Sequence, residues 1–291
     1  MFRRVAIIGL GLIGGSIGMA LRKAKVAQQV VGYDLGKGVG DHACNLGAID
    51  ESCAVLADVV SDAELLILAT PVGPMRALLQ DIASFVTPET IVTDVASTKV
   101  QVISWAEELL PSSVAFVGGH PMTGKELTGI AFADPALFQN CIYCLTPTAR
   151  TNRMALNKVA AFVEVLGAHV HFLDPAEHDE QVAGVSHLPF LASIALVNAV
   201  AANPMWADAS LLAAGGFRDM SRLAAGSPEM YRDICITNST AITQWLDEYI
   251  NGLCILRERI SSHDSSLDET FAHAQQLRYS LFSSFLREDR N

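Results

Sequence analysis

Histidine 120 ends an apolar run and stands among glycines, in Gly118-Gly-His120-Pro-Met-Thr-Gly124-Lys-Glu-Leu-Thr-Gly129. An imidazole with a pKa near neutrality can take a proton from a bound molecule at cellular pH, so His120 is a candidate general base. Upstream, Val5-Ala-Ile-Ile-Gly9-Leu-Gly11-Leu12-Ile13-Gly14 places a Gly-x-Gly-x-x-Gly pattern directly after a β-branched run and ahead of a helical one. There Gly9 allows a tight turn, Gly11 lets the backbone approach a pyrophosphate, and Gly14 permits close packing of helix on sheet. Leu12 and Ile13 belong to the same phosphate-facing turn. Asp34 lies 20 positions beyond Gly14, at the end of the next apolar run, where a carboxylate accepts both ribose hydroxyls of an adenosine. A carboxylate there repels a 2′-phosphate, so NAD is expected rather than NADP.

Further candidates are less specific. Thr70-Pro71 ends the run Leu65-Leu-Ile-Leu-Ala at the sheet edge where such cofactors lie, and reads equally as a simple turn. Asp94-Val-Ala-Ser97-Thr-Lys99 ends another run; Ser97 either faces the same crevice or caps the following helix. His187, in Val185-Ser-His187-Leu-Pro189, sits beside a proline that must disturb its helix, and reads as a site residue or as a hydrogen-bonded core histidine. Arg218 and Arg222 follow Gly215-Gly at a four-residue spacing, share one helical face, and either could clamp a carboxylate or stay solvated.

Short apolar runs position these groups: Arg4 to Ile8, Gln29 to Tyr33, Leu65 to Thr70, Ile91 to Val95, Val114 to Val117, Ile142 to Thr146 and His169 to Leu173. Most are continuous rather than alternating, as strands buried on both faces read, which predicts an α/β fold with a doubly wound, mostly parallel, Rossmann-type sheet. Strand signals stop after Leu173. Asp174-Pro-Ala-Glu177 opens a helix, with Asp174 as N-cap and Glu177 placed for a capping box. The predicted division is therefore 1–173 for the dinucleotide and 174–291 for an all-helical second domain. Ser227-Pro228-Glu229 opens a further helix, and Ile234, Ala241, Trp245, Tyr249 and Leu256 give it one long apolar stripe.

Of the 291 residues, 51% are hydrophobic and 18% charged, so extra apolar surface is expected to be hidden in an oligomer. A net charge of -11 argues against a nucleic-acid or anionic-membrane partner, since either wants a clustered basic face. An anionic substrate must then meet a local arginine. The uncharged stretch Val182 to Ala207 approaches bilayer-spanning length but carries His187, Pro189, Asn198 and Pro204, and reads as core or subunit interface. The apolar N-terminal run breaks at once into glycines, so a cytoplasmic protein is expected. Cys141 and Cys144 alone have motif spacing, inside a strand, and no metal site is expected.

With these segments in place, the chain resembles the prephenate/arogenate dehydrogenase family over nearly its whole length. The resemblance runs through Gly9 to Gly14, Asp94-Val-Ala-Ser97-x-Lys99, Gly118-Gly-His120-Pro-Met-x-Gly124, Leu145-Thr-Pro147, Ser186-His187-Leu-Pro189, Gly216-Phe-Arg-Asp-x-x-Arg222 and Pro228-Glu-Met-Tyr231. Tyr231 stands where many members carry tryptophan, and Lys125 where members usually carry a small hydroxyl residue or another side chain. The resemblance implies oxidative decarboxylation of prephenate or arogenate with NAD. It further implies His120 as proton acceptor, Ser97 orienting it beside the nicotinamide, Arg222 on the substrate carboxylate, His187 shaping the pocket, and a homodimer through the helical domain. An unperturbed histidine would make turnover fall with acid through about pH 6 to 7. The competing 3-hydroxyacid type relies on a lysine in its helical domain, and none occurs between Asp174 and Asn291. A non-catalytic NAD-binding regulator is the alternative outside enzymes.

Overall fold

The computed structural model describes residues 2–124 and 127–288. Its first half alternates strands and helices: β1 (Phe2–Ile8), α1 (Leu12–Ala24), β2 (Ala27–Tyr33), α2 (Val39–Asn45), β3 (Glu51–Ser52), α3 (Leu56–Val60), β4 (Leu65–Leu68) and α4 (Met75–Ile82). There follow β5 (Ile91–Asp94), α5 (Val100–Leu109), β6 (Ala115–Pro121), β7 (Ile142–Thr146), α6 (Arg153–Val165) and β8 (His169–Phe172). The eight strands form one sheet in the order β3-β2-β1-β4-β5-β6-β7-β8, parallel except where β6 meets β7. Chain order reverses between β1 and β4, which opens a crevice at their carboxyl ends.

Both faces of the sheet are covered, which explains the continuous apolar runs. Val5, Ile7, Leu65 and Ile67 pack with Ile17 and Leu21 of α1 and with Val159 and Phe162 of α6. Their neighbours Ala6, Ile8, Leu66 and Leu68 point the other way, onto Val59 of α3, Met75 and Leu79 of α4 and Val102 of α5. The sequence-predicted strands all form, the third, fourth and seventh ending at Leu68, Asp94 and Phe172 rather than Thr70, Val95 and Leu173, and the fifth running on to Pro121 rather than stopping at Val117. β3 escapes the pattern because it is a two-residue, exposed edge strand.

Beyond β8 every regular element is helical among the described residues: α7 (Pro175–Val182), a π-helical turn (Ala183–His187), α8 (Leu188–Ala201), α9 (Trp206–Ala209), a 3-10 turn (Ser210–Leu212), α10 (Gly215–Ser221), a second 3-10 turn (Arg222–Ala225), α11 (Pro228–Thr237), α12 (Ser239–Ser261) and α13 (Leu267–Glu288). Asp174 caps α7 by accepting the Ala176 N–H at 2.8 Å. The capping box does not form, because the Glu177 carboxylate accepts from Gln181 one turn later. Ser227 caps α11 as expected. The long stripe beginning there is two helices, interrupted at Asn238, whose side-chain amide turns inward. The disturbance at Pro189 is the π turn, with the proline in the first turn of α8.

Backbone contacts gather the chain up to Ile242 into one compact unit and the chain from Thr243 into another. The second unit is a pair of helices whose connecting turn is held by the Arg259 guanidinium on Thr270 and by Asp264 accepting the Ser266 N–H at 2.8 Å. Ile250, Ile260, Phe271 and Leu277 are exposed on it.

Candidate active site

The glycine loop joins β1 to α1. Gly9 has φ +93°, and a Cβ there would lie 2.6 Å from the Ala69 carbonyl at the end of β4. A Cβ on Gly14 would lie 1.9 Å from the Gly9 carbonyl, whereas one on Gly11 would meet nothing within 4 Å. Two glycines thus serve packing, and the third borders open space at the N-terminus of α1, where backbone N–H groups favour an anion. Asp34, just past β2, accepts the Leu10 N–H at 2.7 Å and the Gly36 N–H at 2.7 Å, which fixes its carboxylate to the loop. Thr70 lies beside Gly9, and its buried hydroxyl has no hydrogen-bond partner among the described residues. An open glycine, a fixed carboxylate and an unsatisfied hydroxyl in one crevice suit a dinucleotide.

His120 lies near the end of β6, opposite Cys144 of β7, and is buried. Its Nδ1 is 2.9 Å from Nε2 of His178 on α7. Nδ1 of His178 is in turn 2.8 Å from the Asp179 carboxylate. That carboxylate also accepts the N–H groups of Lys99 at 2.7 Å and Val100 at 2.9 Å, where α5 begins. The Asp179 carbonyl accepts from the Asn238 side-chain amide at 2.7 Å, and the same nitrogen is 3.3 Å from Nδ1 of His187. Only 1% of His187 is exposed, and its Nε2 has no protein partner among the described residues.

Burial holds the His120 pKa well below the usual histidine value, and electrostatic repulsion of a His120 cation by His178, Lys99 and His187 acts in the same direction. His187 is pushed down to about 4 by burial, with Asp179 opposing and His178 reinforcing. Both imidazoles are therefore neutral at pH 7. An imidazole depressed in this way titrates below the pH 6 to 7 range expected of an unperturbed histidine.

Behind β6 lies a wholly buried ion pair. Lys99 is 0% exposed; its ammonium contacts the Asp94 carboxylate and donates to the Gly119 carbonyl at 2.7 Å. Asp94 also accepts the N–H groups of Ala96 at 2.9 Å and Gly119 at 3.1 Å. Burial lowers the Lys99 pKa while Asp94 opposes it. The pair fastens β5 to the residue preceding His120. Gly119 is obligatory here, since a Cβ would lie 2.7 Å from the Asp94 carbonyl.

The structure joins His120 to His187 through His178, Asp179 and Asn238, none of which sequence reasoning had marked. His178 and Asp179 follow a helix cap in a stretch rich in charge, which reads as a solvated face. Ser97 is half-buried in the loop after β5, and the Nδ1 partner of His120 is His178 rather than Ser97. Arg218 is exposed. Arg222 is exposed too, at the start of the 3-10 turn, and its charge is felt by the Tyr231 phenol. Tyr231 braces that turn, stacking on Phe190 at 4.0 Å between ring centroids and donating to the Leu223 carbonyl at 2.8 Å. On α11, Asp233 accepts the Gly73 N–H at 3.1 Å, and Thr237 pairs with Thr98 at 2.9 Å, so this helix holds the loops after β4 and β5. Lys125 lies outside the described residues.

Comparison with known proteins agrees with this architecture. The model of the prephenate dehydrogenase nucleotide-binding domain matches residues 17–172, and that of the prephenate dehydrogenase dimerization domain matches residues 174–275. A prephenate dehydrogenase of Bacillus subtilis (strain 168) is 35% identical over 263 residues, covering 90% of this chain and 71% of that protein. The crystal structure of prephenate dehydrogenase from A. aeolicus in complex with hydroxyphenyl propionate and NAD+ superposes with a TM-score of 0.90 at 28% identity, covering 97% of this chain and 99% of that one. Synechocystis arogenate dehydrogenase superposes with a TM-score of 0.80 at 32% identity, covering 97% and 99%. A nucleotide-binding sheet with a helical continuation, matched over both parts by these relatives, makes the chain an NAD-dependent dehydrogenase. The chain belongs to the prephenate dehydrogenase family.

Proposed function

We propose that the chain catalyses oxidative decarboxylation of prephenate to 4-hydroxyphenylpyruvate, or of arogenate to tyrosine, with NAD. The observation that carries this reading is His120, a buried neutral imidazole near the end of β6 with Nδ1 engaged and Nε2 left over for a ligand. In this reaction C4 of the cyclohexadienol ring loses hydride, its hydroxyl loses a proton, the ring carboxylate leaves as carbon dioxide while the ring becomes aromatic, and the ring oxygen takes a proton back to give the phenol. Bound NAD supplies the hydride acceptor.

His120 accepts the hydroxyl proton, and Ser97 offers its hydroxyl beside the nicotinamide. Arg222 binds the substrate carboxylate, a local cation on a chain of net charge -11. His187 borders the pocket. Gly9, Gly11 and Gly14, with the backbone of Leu12 and Ile13, hold the pyrophosphate; Asp34 holds the ribose; Thr70 and Pro71 line the crevice. In this reading residues 1–173 serve the cofactor and 174–291 serve substrate and dimerisation, in a cytoplasmic homodimer. Among the described residues Pro175–Ala201 is the one helical run long and apolar enough to cross a membrane, and a subunit contact makes the same demand of composition. A monomeric mass by light scattering at micromolar concentration would reject the dimer.

Assay of NADH and NADPH formation with prephenate and arogenate in turn tests the reaction. Reduction of NAD with one or both is expected, and no reduction with either refutes the reading. Arg222→Ala is expected to raise the Michaelis constant roughly 10- to 100-fold, as loss of a charged hydrogen bond does, with NAD affinity unchanged. Parallel loss of both would assign Arg222 to folding instead.

A further inference from the structure

We propose that Asp179 sets opposite tautomers in the two site imidazoles, leaving Nε2 of His120 a lone-pair acceptor and Nε2 of His187 an N–H donor. The proposal rests on the reading of His120 as proton acceptor and adds His178, Asp179 and Asn238 to it as positioning residues.

The first branch runs through the carboxylate. An ionised carboxylate only accepts, and this one already accepts two backbone N–H groups at the start of α5. His178 Nδ1, at 2.8 Å, must therefore carry the proton it shares with Asp179. A neutral imidazole protonated at Nδ1 has its lone pair at Nε2. His120 Nδ1 faces that lone pair at 2.9 Å and so donates to it, which leaves the lone pair of His120 on Nε2. A substrate hydroxyl can lose its proton only to such an atom.

The second branch leaves from the Asp179 carbonyl. Asn238 gives one amide proton to that oxygen at 2.7 Å and turns the other toward His187 Nδ1 at 3.3 Å. An NH2 group only donates, so Nδ1 of His187 accepts and its proton resides on Nε2. That N–H is buried without a protein partner among the described residues, a donor that a ligand oxygen would satisfy. The site thus presents one acceptor and one donor from two residues of the same type. The charged and titratable groups around them are Asp179, His178, the Lys99–Asp94 pair behind β6, Cys144 across the strand pair and Tyr143 beside Gly119.

Nitrogen-15 NMR of the full-length wild-type protein reads the tautomers directly. The expected result is a pyridine-type Nε2 with a pyrrole-type Nδ1 for His120, and the reverse for His187; a protonated Nε2 on His120 in the resting protein overturns the proposal. No substrate is needed, so a protein with these tautomers that fails to oxidise prephenate or arogenate would refute the reaction and leave the proposal standing. Variants test the consequence. In His178→Gln the amide oxygen can accept from His120 while its nitrogen donates to Asp179, and kcat is expected within about 10-fold of wild type. In His178→Leu no acceptor remains, and kcat is expected to fall about 100-fold or more with KM and NAD affinity little changed. Equal losses in the two folded variants would overturn the positioning role.

Discussion

Around Gly9, Gly11 and Gly14 the chain makes room by omitting side chains, whereas around His120 it fills the interior with polar ones. The first region is built from consecutive residues whose packing is set by backbone sterics, with a Cβ on Gly14 excluded by the Gly9 carbonyl. The second is assembled from β6, α7, the π turn and the break between α11 and α12, and depends on which nitrogen of each imidazole donates and which accepts. One region accommodates a ligand through shape, and the other acts through protonation state. Disturbing them should therefore give different signatures.

The largest effect is expected from Lys99→Met, which leaves Asp94 charged and unpaired behind His120. Breaking a buried pair from one side typically costs about 3–5 kcal/mol, and chemical denaturation should report a loss of that size. NAD affinity of the folded fraction should stay near wild type; a loss of affinity matching the stability loss would erase the distinction between the regions.

Acid should act next, and only on the histidine region. Burial pushes the folded pKa of His187 down to about 4, against about 6.5 for an unperturbed imidazole. Above pH 6.5 it is neutral in both states and its contribution is full. As pH falls from 6.5 toward 4 the unfolded chain binds a proton that the folded one does not, so stability declines by about 3 kcal/mol, then levels off for this residue. His120, also depressed, adds in the same direction. Thermal melts across this range should show a shallower decline in His187→Gln than in wild type, and identical slopes would contradict the assignment. The acid limb of kcat/KM for the free enzyme should likewise fall below the usual histidine range.

The smallest of these effects is expected from Gly14→Ala. Overpacking against a backbone carbonyl costs about 1–3 kcal/mol, read as weaker NAD binding by titration calorimetry and a lower Tm. The pH profile of turnover at saturating NAD should not move; a displaced profile would mean that the regions are coupled.

Much of the molecule is legible in its sequence, and what is legible has a local cause. Strands buried on both faces show as runs such as Leu65 to Leu68, and the glycine pattern announces its turn within six residues. β3 is hidden because two exposed residues carry no periodicity. The break at Asn238 is hidden because apolar residues on either side keep helical spacing. His178 and Asp179 are hidden for a different reason. Their burial comes from β6 and α5, which are far away in sequence, while Glu177 and Glu180 beside them suggest a face in water. Lys99 sits in a motif that is visible, but its enclosure depends on Gly119 lying next to Asp94.

The π turn at Ala183–His187 closes each hydrogen-bonded loop with one residue more than an α-helix uses, and so resets the angular phase between α7 and α8. Asp179 stands before the reset and His187 at its end. Removing one residue between 183 and 186 would restore α-helical spacing and abolish the widened turn that ends at His187, the residue that Asn238 meets. In this stretch the number of residues, more than their identity, is what sequence variation has to preserve.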